Sequence, residues 1–183
     1  MRFDYFEPIT LEKAVQLLDA HWGEVKVLAG GTDLLPRLKQ RALRPQYVMN
    51  LKRIPGLDGL SYHPRRGLAV GALATVRALE TFPAVKEHYR PLVEAAGLLG
   101  SVQVRHLATV GGNLCNAAPS AELAPPLLAL SARARLVGPQ GERTLPLAEF
   151  FLGPGETALG RGELLVEVLV PPLSPRSGGA YLK

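Results

Sequence analysis

Two short segments carry residue types on which chemistry can be built. The first is Ala29-Gly30-Gly31-Thr32-Asp33 and the second is Thr109-Val110-Gly111-Gly112-Asn113. Paired glycines let the backbone approach a ligand closely and adopt positive φ. Successive amides in such a turn form an anion-holding nest. The first segment also precedes a predicted helix, whose free N–H groups and dipole favour a phosphate. Thr32, Thr109 and Asn113 set side-chain hydrogen bonders beside the glycines. Two facing nests suit a diphosphate better than either alone. A glycine pair after a strand is equally an ordinary turn, and Thr32 or Asp33 an ordinary helix N-cap. On the ligand reading, a side chain at Gly31 or Gly111 enters the space of the diphosphate. Gly31→Val and Gly111→Val are then expected to abolish binding without unfolding the protein.

Absent patterns narrow the chemistry. Neither segment matches G-x-G-x-x-G, and no G-x-x-x-x-G-K-[ST] occurs, which argues against an ordinary Rossmann site or a P-loop. Ser101, Ser120 and Ser131 lack a G-x-S-x-G elbow. His21, His63, His88 and His106 show no metal-ligand spacing. The one cysteine, Cys115, excludes an internal disulfide framework and any Cys-rich zinc or iron–sulfur site built by this chain alone. It reads as a small buried thiol. Arg37, Lys39, Arg41 and Arg44 read as a solvated helix face, or as a surface turned toward a partner. No catalytic acid, base or nucleophile emerges. The residues by themselves point to a binder of a phosphorylated ligand.

The elements that hold the two segments are legible in the pattern. Thr10 to Ala20 reads as a helix, with Thr10 as N-cap and Leu11, Ala14, Val15 and Leu18 on one face. Val25 to Ala29 is a strand, and a helix from about Leu34 to Ala42 follows, with Pro36 held to its first turn. Tyr47 to Leu51 is a strand, and Pro55 to Gly59 a turn or linker. Beyond it, Gly67 to Ala72 is a strand, and Thr75–Thr81, Pro91–Leu99 and Glu122–Leu130 are helical. Ala132–Val137 and Arg143–Leu145 flank Gly138-Pro139-Gln140-Gly141 as a hairpin. Glu163 to Val170 is a last strand, with Leu164, Val166, Val168 and Val170 on one side.

Bulk properties fit an ordered domain. With 183 residues and 47% hydrophobic side chains, the chain can bury one sizeable core or two small lobes. The net charge is +5, yet the arginines are scattered and aromatics are only 6%, unlike the basic and stacking faces of single-strand binders. No nucleic-acid partner is expected. No apolar run reaches roughly 18 residues, and Met1 to Pro8 has no apolar leader core. With the lone cysteine suiting a reducing compartment, a cytoplasmic protein without membrane insertion is expected.

Longer motifs around the two segments carry a family resemblance. Lys26-Val27-Leu28-Ala29-Gly30-Gly31-Thr32-Asp33-Leu34-Leu35 resembles the first FAD-binding segment of molybdenum-hydroxylase flavoproteins. Thr109 through Asn113, continued by Leu114-Cys115-Asn116-Ala117-Ala118-Pro119-Ser120-Ala121-Glu122, resembles the second. Phe3-Asp4-Tyr5 with Pro8, and the strand Glu163 to Pro171, are similar too. The family includes the medium subunit of aerobic carbon monoxide dehydrogenase and the flavin domain of xanthine dehydrogenase.

The resemblance implies an α+β, two-lobed FAD-binding domain of the molybdopterin-dehydrogenase (PCMH) type. A small βαβ lobe would span 1–55, a larger mixed α+β lobe 56–173, and 174–183 would link toward a C-terminal domain that the chain lacks. It implies non-covalent FAD held by Val27, Leu28, Ala29, Gly30, Gly31, Thr32, Asp33 and Leu34 and, from the other lobe, by Thr109, Gly111, Gly112 and Asn113. Glu122 stands where the family commonly has Asp bonded to the cofactor; its alternative is a solvated residue in a helix first turn. Leu99 and Leu165 match positions near the flavin, or are core leucines. The implied activity is electron transfer from iron–sulfur clusters through FAD to an external acceptor. The 2Fe-2S clusters and molybdopterin would belong to a small iron–sulfur subunit and a large molybdopterin subunit. A scaffold or a module for another phosphorylated ligand is the alternative. An independent flavin oxidase with covalent FAD lacks its linking residue here, since the nearest histidine, His21, lies on the wrong side of a strand.

Overall fold

A computed structural model describes residues 2–174 and 176–183. Met1, at the start of the expected leaderless N-terminus, and Pro175, in the expected 174–183 linker, lie outside the described residues. The chain begins β1 (Asp4–Phe6), α1 (Leu11–Ala20), β2 (Val25–Leu28), α2 (Leu34–Lys39) and β3 (Tyr47–Asn50). Thr10 has extended backbone, and its hydroxyl accepts from the Lys13 amide at 3.2 Å, which fixes where α1 starts. Ala14, Val15 and Leu18 recur at helical spacing and are the buried face of that helix. The three strands form a parallel sheet in the order β1-β3-β2. Because β2 and β3 run parallel, the chain must cross over between them, and α2 supplies the crossover.

The second part runs β4 (Leu60–His63), β5 (Gly67–Gly71), α3 (Val76–Thr81), α4 (Pro83–His88), α5 (Arg90–Leu98), α6 (Val102–Arg105), α7 (Val110–Asn116) and α8 (Ala124–Ala129). It continues β6 (Arg133–Gly138), β7 (Gly141–Pro146), α9 (Leu147–Phe150), β8 (Phe151–Gly153), β9 (Glu156–Thr157) and β10 (Leu164–Val170). Five of these strands form an antiparallel sheet in the order β4-β5-β10-β6-β7. Its core gathers Leu68, Val70, Leu79, Leu92, Leu114, Leu136 and Val168, all at most 1% exposed. Each such leucine contributes about 1.5–3 kcal/mol by leaving water.

The expected alternation along the last strand is corrected. A register shift between Leu165 and Glu167 inserts Val166 as an extra residue against β6. Leu164 and Val166 therefore enter the core beneath the parallel sheet, beside Met49, Leu51 and Ala14. Leu165, Val168 and Val170 enter the core of the antiparallel sheet. One strand thus serves both hydrophobic cores and ties them together.

The second glycine pair is also corrected: Gly111 and Gly112 lie in the first turn of α7, not in a connecting turn. The helix after the first pair ends at Lys39, short of Ala42, and α8 spans only Ala124–Ala129. The tail packs back on the body, with the Tyr181 amide donating to Glu94 at 2.8 Å and Gly179 against Pro91.

Candidate functional site

The two glycine segments meet. A Cβ on Gly30 would overlap the carbonyl oxygen of Leu107 and stand 3.0 Å from Ala108 Cα. A Cβ on Gly112 would lie 3.8 Å from Ala29 Cβ. Glycine at position 30 is what lets the turn after β2 close on the run Leu107–Thr109 that follows α6. Gly31 has φ +81°, a left-handed conformation that other residues adopt at a cost of about 1–2 kcal/mol.

The two segments offer different chemistry. Among the described residues, the amides of Gly30, Gly31, Thr32 and Asp33 donate to no protein acceptor. Asp33 sits at the N-cap position of α2 but makes no side-chain capping bond; the Leu35 N–H donates to Gly31 O at 2.9 Å instead, and Pro36 has no N–H. This turn is the nest. In the second segment four of the five amides are engaged within the protein, and only Thr109 N–H donates to no acceptor among the described residues. Val110 N–H donates to Ala74 at 2.9 Å, Gly111 N–H to Ala72 at 2.8 Å and Asn113 N–H to Thr109 at 3.0 Å. Gly112 N–H donates to the Thr109 hydroxyl at 3.1 Å. The expectation of two facing nests is thereby corrected to one nest and one wall. The wall is held in place by an antiparallel bridge between Thr75 and Thr109.

The helix that begins at this wall carries an unpaired side-chain acceptor. The Oδ1 of Asn113 is buried and has no hydrogen-bond partner among the described residues. An unpaired buried acceptor costs about 1–3 kcal/mol, a cost that a ligand hydroxyl would offset. The sequence expectation for Gly111 changes accordingly. A Cβ there would meet the Cβ and carbonyl oxygen of Ala72, each at 2.7 Å, so the obstruction is protein backbone rather than ligand space. At Gly31 the Cβ would meet Leu28 and Leu35 side chains at 3.0 Å.

Beside the second segment lies a cleft of about 430 Å³, lined by Lys52, Arg53, Asp58, Thr75, His106 and Thr109 among others. Lys52 and Arg53 bring positive charge to the mouth of the cleft; Arg53 is shared with Glu7 at 3.4 Å. Sequence reasoning passed over both, because they follow β3 and reach the cleft only through the fold. His106, set aside for want of metal spacing, lines the same cleft. A second cavity of about 410 Å³ lies under the tail, between Pro91, Pro126, Leu130 and Tyr181, away from either glycine segment.

The remaining candidates fall elsewhere in the fold. Val27, Leu28 and Thr32 are half-buried around the first turn, Leu34 opens α2, and Thr109 is 5% exposed. Leu99 and Leu165 are buried members of the larger core. Glu122 precedes α8 rather than lying in its first turn, and it accepts from Lys183 Nζ at 2.6 Å. That bond holds the Lys183 ammonium above its ordinary pKa. Burial pushes the Cys115 thiol up to about 12, so it is a neutral packing group at neutral pH. The guanidinium and ammonium groups of Arg37, Lys39, Arg41 and Arg44 belong to exposed residues. Among the described residues, no group of three His, Cys, Asp or Glu could hold a metal ion. No helix among them is long and apolar enough to cross a membrane.

Comparison with known proteins gives a consistent picture. A family model described as "FAD binding domain in molybdopterin dehydrogenase" matches residues 1–173. The carbon monoxide dehydrogenase medium chain of Hydrogenophaga pseudoflava is 36% identical over 182 residues, which is 100% of this chain and 63% of that relative. A putative xanthine dehydrogenase FAD-binding subunit of Escherichia coli K12 is 34% identical over 98% of this chain and 61% of its own length. The solved carbon monoxide dehydrogenase of Hydrogenophaga pseudoflava that lacks the Mo-pyranopterin moiety superposes with a TM-score of 0.91 at 35% identity. That match covers 96% of this chain and 61% of the other. The chain therefore spans about three fifths of the length of these relatives.

Proposed function

This chain belongs to the family of FAD binding domains of molybdopterin dehydrogenases, and on that premise we propose that it holds FAD non-covalently and carries electrons within a molybdenum hydroxylase. The observation that carries the reading is the run of free amides at Gly30–Asp33, closed against Leu107–Thr109, with the unpaired Asn113 Oδ1 on the helix that follows. The free amides suit the diphosphate. Asn113 Oδ1 suits a hydroxyl donor, of which the ribityl chain and the ribose of FAD carry several. Lys52 and Arg53, with Asp58, line the neighbouring cleft that reaches Leu107 and Thr109, and the two basic groups favour an anionic ligand there.

Bound FAD would supply the redox chemistry, and the protein the binding, orientation and tuning of potential. No side chain is needed as acid or base in that division of labour. The proposal extends to a small 2Fe-2S subunit and a large molybdopterin subunit as partners, with electrons passing from the clusters through this domain to an external acceptor. Its support is the similarity to a carbon monoxide dehydrogenase medium chain and a putative xanthine dehydrogenase FAD-binding subunit. Val27 to Asp33, Leu34, Leu99, Thr109, Gly111, Gly112, Asn113, Glu122 and Leu165 are the proposed cofactor residues, with Gly111 in a packing role. A cytoplasmic location belongs to the same reading and rests on the lone cysteine.

The test is a titration of the purified chain with FAD and, in parallel, FMN, read by flavin fluorescence. Saturable binding selective for FAD is expected, because the adenosine diphosphate half supplies the ligand of the nest. A folded chain that binds neither, or both alike, overturns the proposal.

A further inference from the structure

Arg105 is 7% exposed, and charged side chains are seldom buried this deeply without a task. Its partners span three elements. Nε donates to Glu80 of α3 at 3.1 Å. Nη1 donates to the carbonyls of Gly97, Leu99 and Gly100 at 3.0, 3.1 and 3.2 Å. Gly97 O is one of the orphan acceptors at the end of α5, and Leu99 and Gly100 are the cap and the residue after it. Glu80 is itself braced by Arg77 at 3.0 Å. Arg105 thus ends α6 with its guanidinium pinned to α5 on one side and α3 on the other.

Two residues later the chain reaches Leu107, whose carbonyl oxygen is what a Cβ on Gly30 would strike. Four residues later it reaches Thr109, which bridges to Thr75 and caps α7. The run 99–109 is a strap between these anchors, and its free side is exposed at Val102, Val104 and Leu107. No core packing from that side holds it in position. The nest at Gly30–Asp33 closes against this strap, so the width of the cradle follows the strap's position.

We infer that Arg105 is the positioning residue of the cofactor cradle: its guanidinium fork holds the 99–109 strap where Leu107–Thr109 face the Gly30–Asp33 turn. The inference rests on the FAD reading for its ligand, but not for its geometry. The planar fork is the requirement, since one ammonium cannot reach both the Glu80 carboxylate and a row of three carbonyls in fixed directions.

The test compares the wild-type chain, Arg105→Lys, and Leu136→Ala as a control destabilised in the core far along the sequence from the strap. Amide hydrogen exchange is followed without cofactor, and FAD affinity is measured on the folded samples. In Arg105→Lys, exchange is expected to accelerate in segments covering 97–109 and 29–34 while β6 and β10 keep wild-type protection. FAD affinity is expected to fall at least tenfold. Leu136→Ala is expected to bind FAD within twofold of wild type while folded. Wild-type exchange in the strap, acceleration spread evenly over the chain, or wild-type FAD affinity in Arg105→Lys overturns the inference. Should the wild-type chain bind no FAD, the functional reading falls, and the exchange pattern alone decides the role of Arg105.

Discussion

Gly111→Ala puts two readings of one residue in direct competition. The added Cβ would stand 2.7 Å from both the Cβ and the carbonyl oxygen of Ala72, against an ordinary optimum of about 3.5–4.0 Å between carbons. Relief requires α7 to move away from the end of β5 by roughly 1 Å. Overpacking of this kind costs about 1–3 kcal/mol. The same movement stretches the bond from Gly111 N–H to Ala72 O, now 2.8 Å, which is worth about 0.5–1.5 kcal/mol. Opposing both, alanine is favoured over glycine within a helix by about 1 kcal/mol. The net is a loss of roughly 0.5–3.5 kcal/mol, or a fall in Tm of about 1–14 °C for a chain of this size. Urea and thermal unfolding followed by circular dichroism, with FAD titration of the folded fraction, measure both effects. Ala72→Gly in the same chain removes the Cβ contact but leaves the carbonyl, so the double variant should recover part of the loss, with a coupling of about 0.5–3 kcal/mol. A variant with wild-type unfolding and no FAD binding would refute the packing argument and restore the ligand-clash reading. A raised Tm would show that helix propensity outweighs the contact.

Thr109→Ala removes the hydroxyl that accepts from Gly112 N–H, and should cost about 0.5–2 kcal/mol in urea unfolding, with Thr109→Ser close to wild type. Glu163 is held below the ordinary carboxylate range by its hydrogen bond from Arg143, aided by the Gly160 amide. A lowered folded pKa means stability that is present above the unfolded value of about 4.3 and lost as pH falls through the folded value. Arg143→Gln should therefore flatten the acid side of a plot of urea midpoint against pH; an unchanged slope would sink that assignment. Cys115 is half-buried with its thiol pushed up to about 12, so it should react with an aromatic disulfide far more slowly at neutral pH in the native chain than after unfolding; equal rates would contradict the raised pKa.

Local signals were legible where short-range physics decides the outcome. Thr10 and the Leu11, Ala14, Val15, Leu18 stripe announced α1, and Gly138-Pro139-Gln140-Gly141 announced the β6–β7 hairpin that the structure contains. The glycine pair after β2 announced a backbone open to a ligand's close approach; the structure shows Gly30 closely approaching Leu107 of the chain itself. The second pair misled, because two glycines are poor helix formers, and α7 exists through the Thr109 cap and the carbonyls of Ala72 and Ala74. No sequence pattern carries those two acceptors to that place.

The sequence by itself determined α1, β2, β3, β5 and the β6–β7 hairpin to within a residue or two, the two glycine motifs and, through their length and order, the family. Helix caps, alternation and turn residues act within a few positions, so they can be read along the chain. Tertiary structure alone decided which amides stay free, that Val166 bulges so that β10 feeds two cores, and that Lys52, Arg53 and His106 share one cleft. It also brought Arg105 to Glu80, twenty-five positions away in the chain. Each of these depends on partners supplied by distant segments, and hydrogen-bond satisfaction is settled only when the whole backbone has found its acceptors.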